Sequence, residues 1–174
     1  GVVIDLGELI HEMDQLERLH ARFEEALVKV KAGLGKEHAM LIGGQERFAS
    51  EKFEDRSPSD TRVVLGIFQR GGVEDARDAV AAARKAFHGW RKTSWQERVR
   101  LVRKAADLLD QRTFEISAAV AMEVGKNRTE ALGDVEETAD LIRYYCDRVE
   151  EYKGFIMPMS RESNKHHNTS HLKP

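Results

Sequence analysis

A single cysteine, three prolines and 7% aromatic residues are spread over 174 residues, and each scarcity narrows what the chain can be. One cysteine excludes an internal disulfide and sets a reducing, cytoplasmic-type compartment as the expectation. The sequons Asn127-Arg128-Thr129 and Asn168-Thr169-Ser170 are therefore not read as glycan sites. No apolar run approaches the roughly 18 residues a membrane span needs, and no signal-peptide pattern opens the chain. Net charge is only −2 and the pI is about 6.4, with Lys and Arg mixed among Glu and Asp. Such a balance excludes the basic footprint of a nucleic-acid or anionic-membrane partner and reads as solvated helix faces. Neither Gly43-Gly44 nor Gly71-Gly72 fits G-x-G-x-x-G or a P-loop, so no phosphate cradle is visible. A zinc-protease motif starting at His11-Glu12 fails because Gln15 stands where the second histidine belongs.

What is present is helix signal. Hydrophobic residues make up 41% and charged residues 33%, the composition of one helix-rich domain with a sizeable core. Residues 1–10 read as extended or loop. From His11 to about Ala32, Met13, Leu16, Leu19, Phe23, Leu27 and Val30 fall at three-and-four spacing and predict a first helix, ended by Gly33 and Gly35. MLIGGQERF, residues 40–48, is a hairpin signal. A polar link follows, in which Pro58 excludes helix, and then Arg62–Gln69 reads as a strand. Val73, Ala76, Val80, Ala83, Phe87 and Trp90 form the stripe of a second helix. Ser94-Trp95-Gln96-Glu97 is a capping box opening a third, with Val99, Val102, Ala106 and Leu109 inward. A fourth helix, Thr113 to about Val124, carries Ile116, Ala119 and Val120 and ends at Gly125. A fifth, about Thr129–Tyr152, has its stripe at Leu132, Val135, Ala139, Ile142, Cys146 and Val149. Two strands, Phe155–Met159 and Thr169–Leu172, close the chain around a polar loop.

The stretch Met122–Tyr152 holds the oddity. Gly133 interrupts the fifth helix at a cost of about 1 kcal/mol relative to alanine, with the carboxylate Glu137 one turn further along the same side. An interior glycine there implies that something approaches closely. Cys146 lies on the apolar stripe, with neither a base nor an oxyanion site nearby in sequence, and reads as a small core hydrophobe. His166, His167 and His171 cluster in a polar loop without a carboxylate or thiolate at ligand spacing, which does not make a zinc site. From the residues alone no complete catalytic constellation emerges.

Taken together, E-V-G-K-N…E-A…D-V…I-R-Y-Y, the preceding A-F-H-G-W and the helix QERVRLVRKAADLLDQR resemble the N-terminal part of the NAD(P)-dependent aldehyde dehydrogenase superfamily. RSPSDTRVVLGIFQRGGVEDARDAVAAARKAF is similar to the family's first strands and helix. LGKEHAMLIGGQE and Glu137 tilt the resemblance towards the Δ1-pyrroline-5-carboxylate (L-glutamate γ-semialdehyde) dehydrogenase branch of proline catabolism. The fold the resemblance implies is α/β, the N-terminal portion of the aldehyde dehydrogenase fold, mostly helical with short strands and a C-terminal β-hairpin. It implies two parts: residues 1–152 as the N-terminal part of the cofactor-binding domain, and 153–174 as an oligomerisation hairpin pairing homo-oligomeric subunits. Its substrate would be an aldehyde, oxidised to a carboxylate through a thiohemiacetal on a cysteine, with hydride passing to NAD or NADP. That cysteine, the general-base glutamate, the oxyanion asparagine and the cofactor-binding residues would all lie beyond Pro174. A chain that starts at Gly1 without methionine and stops after a strand-like run is accordingly expected to be a segment of something longer, inactive alone and binding no cofactor by itself. Glu137, as a carboxylate of the substrate tunnel, and Gly133, lining it, are the site residues carried over. Asp55 or Arg56, with Glu123, would fall near a structural monovalent-cation site. The alternatives are another aldehyde or semialdehyde branch, or a non-catalytic helical module that pairs with another chain.

Overall fold

Residues 5–158 and 169–171 are described by a computed structural model. Helix α1 spans Leu6–Lys31, capped by Asp5, whose carboxylate accepts from the Gly7 amide at 2.8 Å. The helix therefore begins five residues before the expected start, and residues 6–10 are not loop. The cap satisfies amides that would otherwise be orphaned, and Leu6, Leu9 and Ile10 extend the same three-and-four pattern backwards past Gly7.

Three short strands follow in one sheet and two in a hairpin. β1 (Lys36–His38) pairs in parallel with β5 (Val64–Gln69), which pairs antiparallel with β4 (Lys52–Arg56). β2 (Met40–Ile42) and β3 (Gln45–Arg47) form the expected hairpin. Gly43 and Gly44 both take positive φ, 61° and 79°, the requirement of the tight turn whose twist matches its strands. Strands β1 and β4 were not expected from sequence, β4 lying in the supposed link. Both are largely exposed, so neither carries an apolar alternation. Main-chain pairing holds them, helped by Phe53 stacking on Phe68 at 5.9 Å. The buried Gln69 amide pins the sheet's end: it donates to Glu37 and to the His38 carbonyl, and accepts from the Ala49 amide, all within 3.0 Å.

Helices α2 (Val73–Trp90), α3 (Trp95–Gln111), α4 (Thr113–Val124) and α5 (Arg128–Glu151) complete the body. Ser94 caps α3 by accepting from the Glu97 amide at 3.2 Å. The return half of the expected capping box is not made, because Glu97 grips Arg100 instead, at 2.6 and 2.8 Å. Helices α3, α4 and α5 pack through small residues: Ala106, Ala118, Ala131 and Ala139 are wholly buried, which lets helix axes approach closely. Phe23 and Ala26 of α1 join Ala118 and Leu132 in the main cluster. On α5 Leu132, Val135, Ala139 and Cys146 of the expected stripe are buried, Ile142 and Val149 are half-buried, and Ala131 is buried beside them. On α4 the expected stripe is displaced. Ser117 and Ala118 are buried and Ile116, Ala119 and Val120 only half so, since a helix apolar nearly all round leaves its inward face to its neighbours.

The largest departure is α2. None of its residues is buried. Val80, Phe87 and Trp90 stay open to solvent, and the helix is held chiefly by the β2–β3 hairpin, through Arg47 to Asp75 at 3.2 Å and Asp78 at 2.8 Å. After α5 a 3-10 turn takes Lys153–Phe155, and β6 (Ile156–Pro158) pairs antiparallel with β7 (Thr169–His171). The expected hairpin is thus present in its described part. His166 and His167 of the histidine cluster, and the expected strand ends Met159 and Leu172, lie outside the described residues.

Candidate functional site

The α4–α5 corner is built by local rules. Gly125 ends α4 in the left-handed region at φ 72°, the conformation glycine adopts without a Cβ penalty. Asn127 then caps α5, accepting from the Glu130 amide at 2.9 Å. From across the chain the buried Ser57 hydroxyl donates to the Met122 carbonyl at 2.8 Å, filling one of the acceptors a helix C-terminus leaves over. The corner is therefore fixed at both its caps and its flank.

From that corner α5 runs with one side buried and the other open. Gly133 and Glu137 sit on the open side and are both exposed. A Cβ built on Gly133 would meet no heavy atom within 4 Å. Among the described residues nothing approaches Gly133, so the close contact that an interior glycine implies is not made there. Further along the same side Leu141 and Tyr144 are about half exposed, with Tyr145 edge-on to Tyr144 at 5.5 Å and the Arg148 guanidinium 5.3 Å from the Tyr144 ring. A glycine gap, a carboxylate, and then an aliphatic and an aromatic side chain make a wall rather than a pocket.

The sequence reading gave Lys126 no role, yet it borders this wall. Its ammonium pairs with Asp134, and that hydrogen bond, reinforced by the nearby carboxylates of Glu130 and Glu137, holds the lysine protonated above its ordinary range. Lys126 stands before the Asn127 cap and so outside α5, where no helix spacing ties it to Asp134; only the folded corner brings the two together.

Cys146 is where the sequence placed it, buried, with its thiol pointing to the Val99 carbonyl at 3.9 Å. Burial pushes the thiol up from its usual range, the opposite of what a nucleophile needs. Asp55 lies on β4, and the exposed Glu123 lies in the last turn of α4. The Ser57–Met122 bond joins the segments that carry them. Among the described residues no group of three or more His, Cys, Asp or Glu side chains is placed to hold a metal. The two glycine pairs singled out in the sequence serve the backbone. Gly43-Gly44 form a strand turn, and the Asp75 carboxylate already takes the Gly72 amide at the start of α2, at 2.8 Å. No described helix is long and apolar enough to cross a membrane.

A family model described as "Aldehyde dehydrogenase family" matches residues 46–174. The 1-pyrroline-5-carboxylate dehydrogenase of Staphylococcus saprophyticus is 32% identical over 152 residues, covering 87% of this chain and 29% of that relative. Among solved structures, a 1-pyrroline-5-carboxylate dehydrogenase from Thermus with bound NAD superposes with a TM-score of 0.74 at 35% identity, over 76% of this chain and 26% of that one. Proline utilization A from Bdellovibrio bacteriovorus superposes with a TM-score of 0.76 at 30% identity, over 82% of this chain and 14% of that one. The chain thus spans under a third of the length of the curated relative it matches.

Proposed function

The chain belongs to the aldehyde dehydrogenase family, and from that premise we propose that it forms the substrate-entrance wall of an NAD-dependent enzyme oxidising L-glutamate γ-semialdehyde to glutamate. The observation that carries the reading is the open side of α5, where Gly133 leaves a gap and Glu137 presents a carboxylate beside it. Relatives and solved neighbours named 1-pyrroline-5-carboxylate dehydrogenase support the substrate class. Glutamate γ-semialdehyde carries an α-ammonium group, and a carboxylate at the entrance attracts and orients it; Glu137 can also accept a proton near the reacting aldehyde. The Lys126–Asp134 pair takes up the neighbouring charge, so that Glu137 faces the substrate as the exposed acid of the wall. The thiol and the cofactor site belong to a further part of the assembled enzyme, with Cys146 serving only the core. Residues 1–152 act as the wall-bearing body and 153–174 as a hairpin that joins a neighbouring subunit in a cytoplasmic homo-oligomer.

The test is a chimera in which residues 1–174 replace the matching segment of the Staphylococcus saprophyticus relative. It should oxidise glutamate γ-semialdehyde with NAD, while the 174-residue chain alone should not. Loss of a charged hydrogen-bond partner is worth roughly ten- to a hundredfold, so Glu137→Ala in the chimera should lower kcat/KM by about that factor for this substrate and much less for propanal, which has no ammonium group. Turnover by the isolated chain, or equal loss with both aldehydes, overturns the reading.

A further inference from the structure

Helix α5 ends at Glu151, and the chain enters β6 through three successive left-handed residues: Lys153 at φ 48°, Gly154 at 73° and Phe155 at 60°. Glycine takes that region freely. A lysine and a phenylalanine do not, and such residues persist only where their surroundings over-determine them. Those surroundings are in place here. Arg103 of α3 grips Asp147 and Glu150, and Arg143 of α5 grips Asp107 and Asp110. The two helices therefore run antiparallel, and the start of α3 falls beside the end of α5. Trp95, the first residue of α3, lies against Gly154 there. A Cβ built on that glycine would sit 2.3, 2.6 and 2.9 Å from three adjacent atoms of the indole. The Phe155 amide closes the turn by donating to the Tyr152 carbonyl at 2.8 Å, and the Tyr152 and Phe155 rings stack at 5.7 Å.

We propose that residues 153–155 are a strained hinge, latched by Trp95, which sets the direction in which the β6–β7 hairpin leaves the helical body. With the indole seated on Gly154, the turn is held left-handed. With the indole withdrawn, Lys153 and Phe155 return to ordinary negative φ, and the hairpin swings away from its present direction. Three residues are enough for such a change, because hinges absorb large backbone rotations at the ends of elements. Only glycine fits under the ring, so the latch and the hinge share one residue. The coupling is reciprocal: whatever engages the hairpin in its present direction also holds the indole in its seat. The hinge is independent of the α5 wall and of what the hairpin meets.

The test is NMR of the 174-residue chain, with far-UV circular dichroism checking each variant's fold. The ring current of the seated indole should move the Gly154 α-protons upfield in the parent. In Trp95→Leu that shift should vanish, and exchange of the Phe155 amide should quicken about tenfold as the open turn becomes more populated. Gly154→Ala leaves Trp95 in place and releases the turn from the other side. It should quicken the same exchange, and it decides the matter should Trp95→Leu not fold. Strain is read separately, by melting. Lys153→Gly should melt about 2–4 °C above Lys153→Ala in the parent background. With Trp95→Leu that order should disappear or reverse, since glycine is the costlier residue at ordinary φ. Three results overturn the proposal: Gly154 α-protons without the upfield shift, a Phe155 amide no faster in Gly154→Ala, or a glycine preference at position 153 that survives the loss of Trp95.

Discussion

Ser57 and Met122 are 65 residues apart in sequence, and the Ser57 hydroxyl donates to the Met122 carbonyl at 2.8 Å from a position 5% exposed. One side-chain bond thereby fastens the segment after β4 to the last turn of α4, which leads into the α4–α5 corner.

Replacing Ser57 by Ala removes that donor and leaves the carbonyl at a helix terminus without it. A buried hydrogen bond of this kind contributes about 1 kcal/mol net. Urea unfolding of Ser57→Ala should show a lower midpoint at an unchanged slope, with a loss of about that size. Cysteine, nearly isosteric but a weak donor, should fall between the two.

Gly133 and Gly154 should respond oppositely to alanine. At Gly133 a Cβ meets nothing within 4 Å, and helix propensity alone favours alanine by up to about 1 kcal/mol. Gly133→Ala should therefore stabilise the isolated chain, while closing the entrance to substrate once the wall is part of an enzyme. At Gly154 the new Cβ would sit 2.3 Å from the Trp95 ring, and φ is positive besides, so Gly154→Ala should destabilise by more than 1 kcal/mol. Thermal melts of the two variants settle the signs; a destabilised Gly133→Ala would mean that something in this chain does contact it.

Acid should weaken the chain through identifiable pairs. Arg103 of α3 holds Asp147 at 2.6 Å and also Glu150 on α5, while Arg143 of α5 holds Asp107 at 3.0 Å and Asp110 at 2.5 Å on α3. The Arg103 hydrogen bond keeps Glu150 below the usual carboxylate range, and Arg112 does the same for Glu115. A carboxyl whose folded value is depressed adds stability in full above its unfolded value, near 4.3 for glutamate, and loses it as pH falls through the folded value. Stability should hold from pH 7 to about 5 and decline below about 4. Arg103→Ala should flatten that decline. Equal acid slopes for the parent and Arg103→Ala would exclude the pair from the transition.

The helices were legible because their stripes are periodic, and α5 was the most legible because its inward side is also its most apolar. Even there Ala131 is buried outside the expected stripe, and Ile142 and Val149 are only half-buried. Hairpin β2–β3 was readable from two glycines that only a tight turn explains. Strands β1 and β4 were not, since Lys36–His38 and Lys52–Arg56 are fixed by main-chain pairing to β5 and carry no pattern of their own. The sequence could mark α2 as amphipathic but not say that its partner surface is missing; periodicity reports that a face is apolar, and covering it is a matter of what stands opposite. Likewise spacing alone put Gly133 and Glu137 on one side of α5, where both are exposed, whereas Lys126 needed the folded corner to become their neighbour.

The parallel pairing of Lys36–His38 with Gly66–Phe68 has a consequence for the order of events in folding. Parallel strands cannot be joined by a tight turn, so β1 must wait while the hairpin and β4 are laid down and β5 arrives. The α4–α5 corner closes over a few residues and is free of that delay. Long-range strand pairing is the slow class of contact, and a chain emerging from synthesis would hold β1 unmatched for the time it takes to make some thirty further residues.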